Sequence, residues 1–279
     1  MRPSGSARVA GVAGWPISHS LSPLMMSRWI EAAGLNALYA PVALPPDAAA
    51  EILTQISATS LVGLNITLPH KETALAVAHE ATPRARAIGA ANLLTFRDGR
   101  ILGDNTDGEG FLAAIDRRSF DESEEALVLG AGGAARAILH ALAEAGLTRF
   151  TLCNRDRGRA ERLASDLAPR ARLIDWDARN DGLAEASLVI NATSLGMAGR
   201  EDLAMNWDRA QRRLSVFDSV YTPLDTGFLT SARAAGHMGK DGLDMLIGQG
   251  RPSFRAFFGQ EVPDLDIRSV LVAALEGAS

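Results

Sequence analysis

The stretch Ala126-Leu127-Val128-Leu129-Gly130-Ala131-Gly132-Gly133-Ala134-Ala135-Arg136 decides the fold. Four apolar residues read as a strand and run directly into G-x-G-x-x-A at the head of a helical pattern. Gly130 permits the tight turn, Gly132 lets the backbone approach a pyrophosphate, and small Ala135 lets the helix pack closely on a sheet. The helix start then offers unpaired N–H groups and the positive end of its dipole to phosphate. A glycine-rich turn alone is common. Its setting between a strand and a helix points to a dinucleotide site built on Gly130, Ala131, Gly132, Gly133 and Ala134.

The end of the next strand bears on the choice of cofactor. It reads Asn154-Arg155-Asp156-Arg157-Gly158-Arg159. An acid at this place binds the ribose diol of NAD, whereas arginines hold the 2′-phosphate of NADP. Arg155 and Arg159 favour NADP, and Asp156 between them would repel a phosphate.

Working outward, strands at 126–129, 150–153, 188–191 and 215–219 alternate with helical patterns, which is the texture of an α/β unit. The first half has its own series. Strands are expected at 9–13, 38–43 and 61–66, with a helix from an N-cap at Ser22 and Pro23 to about Ala33, closed by Gly34. Pro45-Pro46-Asp47 opens another helix, and a third begins near Pro69. Asp98-Gly99 joins strands 93–97 and 100–103 as a tight hairpin. Residues 107–120 read as helix, and the acidic run from Asp121 to Glu125 as a solvated loop. Residues 244–279 carry two helical patterns separated by Pro263. The expectation is two α/β domains: residues 1–106 with 244–279, and a Rossmann-type domain over 107–243. The last helices are expected to pack back on the first domain.

Composition sets limits. Over 279 residues, 47% are apolar and 22% charged, as in a globular protein, and the net charge of −5 gives no footprint for nucleic acid or a membrane surface. Cys153 stands alone, so no intramolecular disulfide is possible and a reducing compartment is expected. The opening residues Met1 to Ser6 lack an apolar signal core and no apolar run approaches a membrane span, which points to the cytoplasm. The five histidines show no metal-ligand spacing, and His19 is read as holding its loop. The 28 basic residues include only two lysines, Lys71 and Lys240. Codon bias explains the arginines, but guanidinium cannot replace an amine that must titrate, so a scarce lysine is worth locating. Lys240, between Gly239 and Asp241, reads as surface.

Three polar clusters fall at predicted strand ends of the first half: Gly14 to Pro23, Asn65 to Lys71, and Gly103 to Gly108. Ligands in open α/β sheets bind outside the carboxyl ends of strands. Hydroxyls, amides and one amine gathered there suit a polyhydroxylated substrate.

These blocks resemble the shikimate dehydrogenase family along nearly the whole chain. The resemblance rests on G-x-P-x-x-H-S-x-S-P at 14–23, N-x-T-x-P-x-K at 65–71 and G-D-N-T-D-G at 103–108. It continues through G-A-G-G-A at 130–134, Asn154-Arg155, N-A-T-S-x-G at 191–196, V-Y-x-P-L at 220–224 and D-G-L-x-M-L-x-x-Q at 241–249. It implies NADPH-dependent reduction of 3-dehydroshikimate to shikimate in aromatic amino acid biosynthesis, by a monomer or homodimer. It also implies residue roles. Ser20 and Ser22, with Tyr221, hold the substrate carboxylate, and Asn65, Thr67, Asn92, Asp107 and Gln249 bind ring hydroxyls. Lys71 and Asp107 form the catalytic pair, and the 130–134 loop with Asn154, Arg155 and Arg159 takes NADP.

The chain departs from the family pattern at Leu93, where many members carry a small hydroxyl residue, and at Ser219 and Thr222. Asp156 replaces a common Thr or Ser and supports the rival reading, an NAD-preferring quinate/shikimate dehydrogenase of a catabolic pathway. A non-catalytic cofactor sensor would be expected to lack Lys71 or Asp107, and both are present.

Overall fold

A computed structural model of the chain describes residues 3–115, 120–121 and 123–277. It divides into two compact units. One comprises the residues up to Asp107 together with those from Leu246 onward, and the other spans Gly108–Met245.

The first unit opens with β1 (Arg8–Gly14), α1 (Ser22–Ala32), β2 (Ala37–Ala43), α2 (Ala49–Ile56), β3 (Leu61–Ile66) and α3 (Lys71–Val77). It continues through β4 (Glu80–Ala81), α4 (Pro83–Ile88), β5 (Leu93–Arg97) and β6 (Arg100–Asp104). The sheet runs β2-β1-β3-β5-β6-β4. β1 is parallel to β2 and β3, while β5 is antiparallel to both β3 and β6. Two antiparallel steps return β6 to the direction of β3. The strand ends at Gly14, Ile66 and Asp104 therefore share one edge, and Asn92, just before β5, starts from it. The hairpin forms as expected, with Asp98 and Gly99 at φ 51° and 73°, the left-handed pair that a type I′ turn needs. Leu44, Leu53, Leu64, Ile66, Leu94 and Ile101 fill the core.

Some local expectations change. Ser22 is the first helical residue of α1 rather than its N-cap, and the cap position, Leu21, makes no side-chain hydrogen bond. Pro46 opens a single 3₁₀ turn, Pro46–Ala48, ahead of α2. The helix after Pro69 begins at Lys71. Of the helix expected over 107–120, α5 (Asp107–Ala114) is formed, and residues 116–119 lie outside the described residues, as does Glu122 of the acidic run.

The second unit contains β7 (Glu125–Leu129), α6 (Gly133–Glu144), β8 (Arg149–Cys153), α7 (Arg157–Leu167) and β9 (Arg172–Ile174). Then follow β10 (Leu188–Asn191), β11 (Ser215–Asp218), α8 (Gly227–Ala234) and β12 (Met238–Lys240). The sheet order is β12-β11-β10-β7-β8-β9 and every pair is parallel. This is a doubly wound sheet whose strand order reverses between β7 and β10. Ala126 and Val128 face one core, and Leu127 and Leu129 the other, so residues 126–129 of β7 are buried on both faces and read as an unbroken apolar run.

The last helices, α9 (Leu243–Phe258) and α10 (Ile267–Glu276), return the chain to the first unit from Leu246 onward, as expected. The contact is close. A Cβ on Gly63 of β3 would lie 2.5 Å from the Phe257 ring, and one on Gly250 would lie 2.4 Å from Met25. Trp29 meets Phe254 edge to face at 5.9 Å. Among the described residues no helix is long and apolar enough to cross a membrane.

Candidate active site

In the first unit, the glycine that ends β1 sets the approach of two polar loops. A Cβ on Gly14 would fall 2.4 Å from Thr67 Cγ2, so only glycine lets the serine loop lie against the loop after β3. Backbone hydrogen bonds from Trp15 N to Leu68 O (3.0 Å) and from Thr67 N to Ala13 O (2.9 Å) fix that approach. Lys71 opens α3, and its place is pinned from two sides. Ala91 N donates to its carbonyl at 2.8 Å, and the preceding His70 is buried with Nε2 2.7 Å from Leu44 O.

Lys71 Nζ lies 2.6 Å from Asp107 Oδ2, and the two side chains are 12% and 0% exposed. A charge pair this buried holds only where its remaining lone pairs are satisfied. Asn92 supplies that. Its Nδ2 donates to Asp107 Oδ1 at 2.9 Å and also lies 3.0 Å from Gln249 Oε1, while its Oδ1 accepts from Thr106 N at 2.8 Å. Asp107 N donates to Asn105 Oδ1 at 3.1 Å. The turn ahead of it is held by Asp104, which takes two hydrogen bonds from Arg84, at 2.7 and 2.6 Å, and one from Thr82. Burial pushes the Asp104 carboxyl up, but these donors outweigh it and hold the group below its ordinary value.

Asn65 is fixed in the same manner. Tyr39 Oη donates to its Oδ1 at 2.8 Å and its Nδ2 donates to Ser253 Oγ at 2.8 Å. Ser253 sits one helical turn beyond Gln249 on α9 and donates to its carbonyl at 3.0 Å. Lys71, Asp107, Asn92, Gln249 and Asn65 thus form one network within the first unit. Ser20 ends the adjoining loop and Ser22 opens α1, where Ser22 N donates to Ser20 Oγ at 3.3 Å. Their hydroxyls make no side-chain hydrogen bond to that network among the described residues. Tyr221 belongs to the second unit and is half-buried, beyond the end of β11. His19 is exposed and makes no hydrogen bond among the described residues, so it does not hold its loop as expected. Lys240 is exposed, as expected, and donates to Ala114 O at 3.1 Å.

In the second unit the glycine turn sits at the switch point. Gly130 has φ 115°, and a Cβ there would meet Ala192 O at 2.8 Å, so both conformation and space demand glycine. A Cβ on Gly132 would meet nothing within 4 Å, which leaves the N-terminus of α6 open for an anion. At the end of β8, Asn154 Nδ2 donates to Asp156 O at 2.8 Å. Asp156 is the N-cap of α7, accepting from Arg159 N at 3.1 Å. The acid that argued for NAD therefore has a structural task. Arg157 is paired with Glu161 and Asp175. Arg155 and Arg159 are exposed, and the Arg159 guanidinium makes no ion pair among the described residues. The residues present fit a phosphorylated dinucleotide.

Tyr39, Ser253 and also Asp218 carry no mark of a site residue in the sequence. Asp218 is buried at the end of β11 and accepts from Asn191 Nδ2 (2.9 Å), Val220 N (3.0 Å) and Thr226 Oγ1 (2.7 Å). Asn191 stood in a quoted motif; nothing marked Asp218 beyond its place at a strand end. Among the described residues no group of three or more His, Cys, Asp or Glu could hold a metal ion.

A doubly wound parallel sheet with a glycine turn at its switch point, joined to a mixed-sheet unit, defines a two-domain α/β oxidoreductase of the dinucleotide-binding class. Residues 12–94 match the family model of the shikimate dehydrogenase substrate binding domain, and residues 114–218 that of shikimate / quinate 5-dehydrogenase. The chain belongs to the shikimate dehydrogenase family. It is 50% identical over 277 residues to the shikimate dehydrogenase (NADP(+)) of Maricaulis maris, covering 99% of each chain. It is 46% identical over 271 residues to that of Rhodospirillum rubrum, covering 94% and 95%. The crystal structure of shikimate 5-dehydrogenase from Thermus thermophilus in complex with NADP(H) and shikimate superposes with a TM-score of 0.84. That protein is 35% identical, and the match covers 98% of this chain and 100% of the other.

Proposed function

We propose that this enzyme reduces 3-dehydroshikimate to shikimate, reversibly, with NADPH, in aromatic amino acid biosynthesis. The observation that carries the reading is Lys71 Nζ at 2.6 Å from Asp107 Oδ2, set among amides and hydroxyls. The activity named for the Maricaulis maris protein and the ligands of the Thermus thermophilus complex support it.

Reducing a ketone adds a hydrogen with two electrons at carbon and a proton at oxygen. When bound, the reduced nicotinamide supplies the electrons and the carbon-bound hydrogen. Lys71 supplies the proton from Nζ to the oxygen, where negative charge builds. In the opposite direction the neutral amine takes the hydroxyl proton. Asp107 holds Nζ in place and balances its charge, and Asn92 fixes the carboxylate by occupying Oδ1. Ser20 and Ser22 hold the substrate carboxylate. Thr67 and Gln249, with the amides of Asn65 and Asn92 and the Asp107 carboxylate, take ring hydroxyls. The unit spanning Gly108–Met245 binds NADP through residues 130–134, Asn154, Arg155 and Arg159.

The test is a steady-state comparison of shikimate and quinate, each with NADP and with NAD. Shikimate with NADP is expected to give the highest kcat/KM of the four. Strong turnover of quinate with NAD would overturn the assignment in favour of the catabolic reading.

A further inference from the structure

β8 and β9 are neighbouring parallel strands, so the residues that follow them emerge side by side on one edge of the second unit's sheet. After β8 comes Arg155; two residues after the end of β9 comes Trp176. The Arg155 guanidinium lies over the Trp176 ring, 5.5 Å from its centroid. Trp176 is itself anchored, because its ring packs against the core that contains Leu127, Leu129 and Cys153. Arg179 lies over the same ring at 5.3 Å, and its guanidinium is tied to two carbonyls, Trp176 O at 3.0 Å and Ala204 O at 3.2 Å. A guanidinium stacked on an indole is attracted by the ring's negative face and keeps its N–H edges free for an acceptor in its own plane.

Of the other charged residues of this corner, the Arg159 guanidinium makes no ion pair among the described residues. Arg157 is spent on Glu161 and Asp175, and Asp156 is turned into the cap of α7. Arg155 has one further partner, Glu201, at 3.3 Å, with the two side chains 61% and 82% exposed. An ion pair so exposed holds weakly, so a dianionic phosphate can displace it at small cost.

We propose that Trp176 is a positioning residue for cofactor selectivity: its ring holds the Arg155 guanidinium in the plane in which it meets a ribose 2′-phosphate. The inference rests on the reading of Arg155 as a phosphate ligand. Trp176 itself need not touch the phosphate; it removes the rotamer freedom that a long exposed arginine would otherwise lose on binding.

The test is calorimetric titration of the full chain with adenosine 2′,5′-bisphosphate and with adenosine 5′-monophosphate. Trp176→Ala is expected to weaken the bisphosphate about threefold to tenfold, the loss of one cation–π contact. The monophosphate should change less than that. Trp176→Phe, which keeps a ring face and is the safer variant to fold, should retain most of the preference. The ratio of kcat/KM for NADP over NAD should fall in parallel in Trp176→Ala. Equal weakening of both nucleotides would mark Trp176 as merely structural and overturn the proposal, as would no change in either. Arg155→Ala separates the two levels. If it leaves the bisphosphate preference intact, the phosphate-ligand reading fails and the proposal with it; if it abolishes the preference while Trp176→Ala does not, only the proposal fails.

Discussion

Asp107 and Asp218 are both fully buried aspartates at the carboxyl edge of a sheet, one in each unit, and their surroundings make them different groups. Asp107 faces the ammonium of Lys71, with Asn92 on its second oxygen. Asp218 faces an amide, a backbone N–H and a hydroxyl, all neutral. Burial pushes the Asp218 carboxyl up to about 6, helped by Asp241, against hydrogen bonds that lower it. A carboxylate paired with a cation holds that cation in place, as the proposed role of Lys71 requires. One caged by neutral donors ties two loops together, those after β10 and β11, and makes that tie sensitive to pH.

Removing the cation from the first site should have the largest effect. Lys71→Ala is expected to lower kcat by about 10²- to 10⁴-fold in steady-state assays, the usual weight of a general acid–base group, with a smaller change in KM for shikimate. A comparable change in KM at unaltered kcat would make Lys71 a binding residue only.

At the second site the loss should be in stability. Asp218→Ala leaves three donors without their acceptor and is expected to cost about 3 kcal/mol in urea unfolding at pH 5. A cost below about 1 kcal/mol would mean that water replaces the carboxyl and that the cage holds nothing.

The pH dependence distinguishes the cage from the pair. The Asp218 value in the fold, about 6, lies above its ordinary 3.8. The fold therefore favours the protonated form. This contribution is full below about pH 4 and is lost as pH rises through 6, with about 1 kcal/mol going between pH 5 and 7. In Asp218→Asn the amide oxygen can still accept from Asn191 and Val220, and its NH₂ can donate to Thr226 Oγ1. That variant should lack this decline, and an unchanged pH profile in it would place the titrating group elsewhere. The smallest effect is expected at Tyr39→Phe, which removes one hydrogen bond from Asn65. KM for shikimate should rise about twofold to fivefold with little change in kcat.

The same contrast explains what was legible in the sequence. β3 and β10 could be read to the residue because apolar runs bounded by turn signals carry their own length. The β4, β9 and β12 strands escaped, because two or three residues cannot show a period and these strands owe their existence to a neighbour's edge. The α4 helix, six residues capped by Thr82, was missed for the same reason. Ser22 misled because Ser20, two residues earlier, accepts the backbone N–H of Ser22. Within the site, Lys71 stood out because lysine is scarce, and Asp107 because its motif resembles a family's. Tyr39 and Ser253 reach Asn65 across 26 and 188 residues of chain, contacts that no local pattern encodes. Asp156 was legible as an acid but not as a cap, since the task of its carboxylate depends on where α7 begins.

The proposed role of Lys71 is to move a proton, not only to carry charge. Its most direct test is kcat for shikimate oxidation by NADP in Lys71→Arg beside Lys71→Ala. Arginine keeps the positive charge next to Asp107 but does not release its proton, so the two variants are expected to fall within about tenfold of each other, far below the parent enzyme. Recovery of Lys71→Arg to near the parent kcat would contradict it.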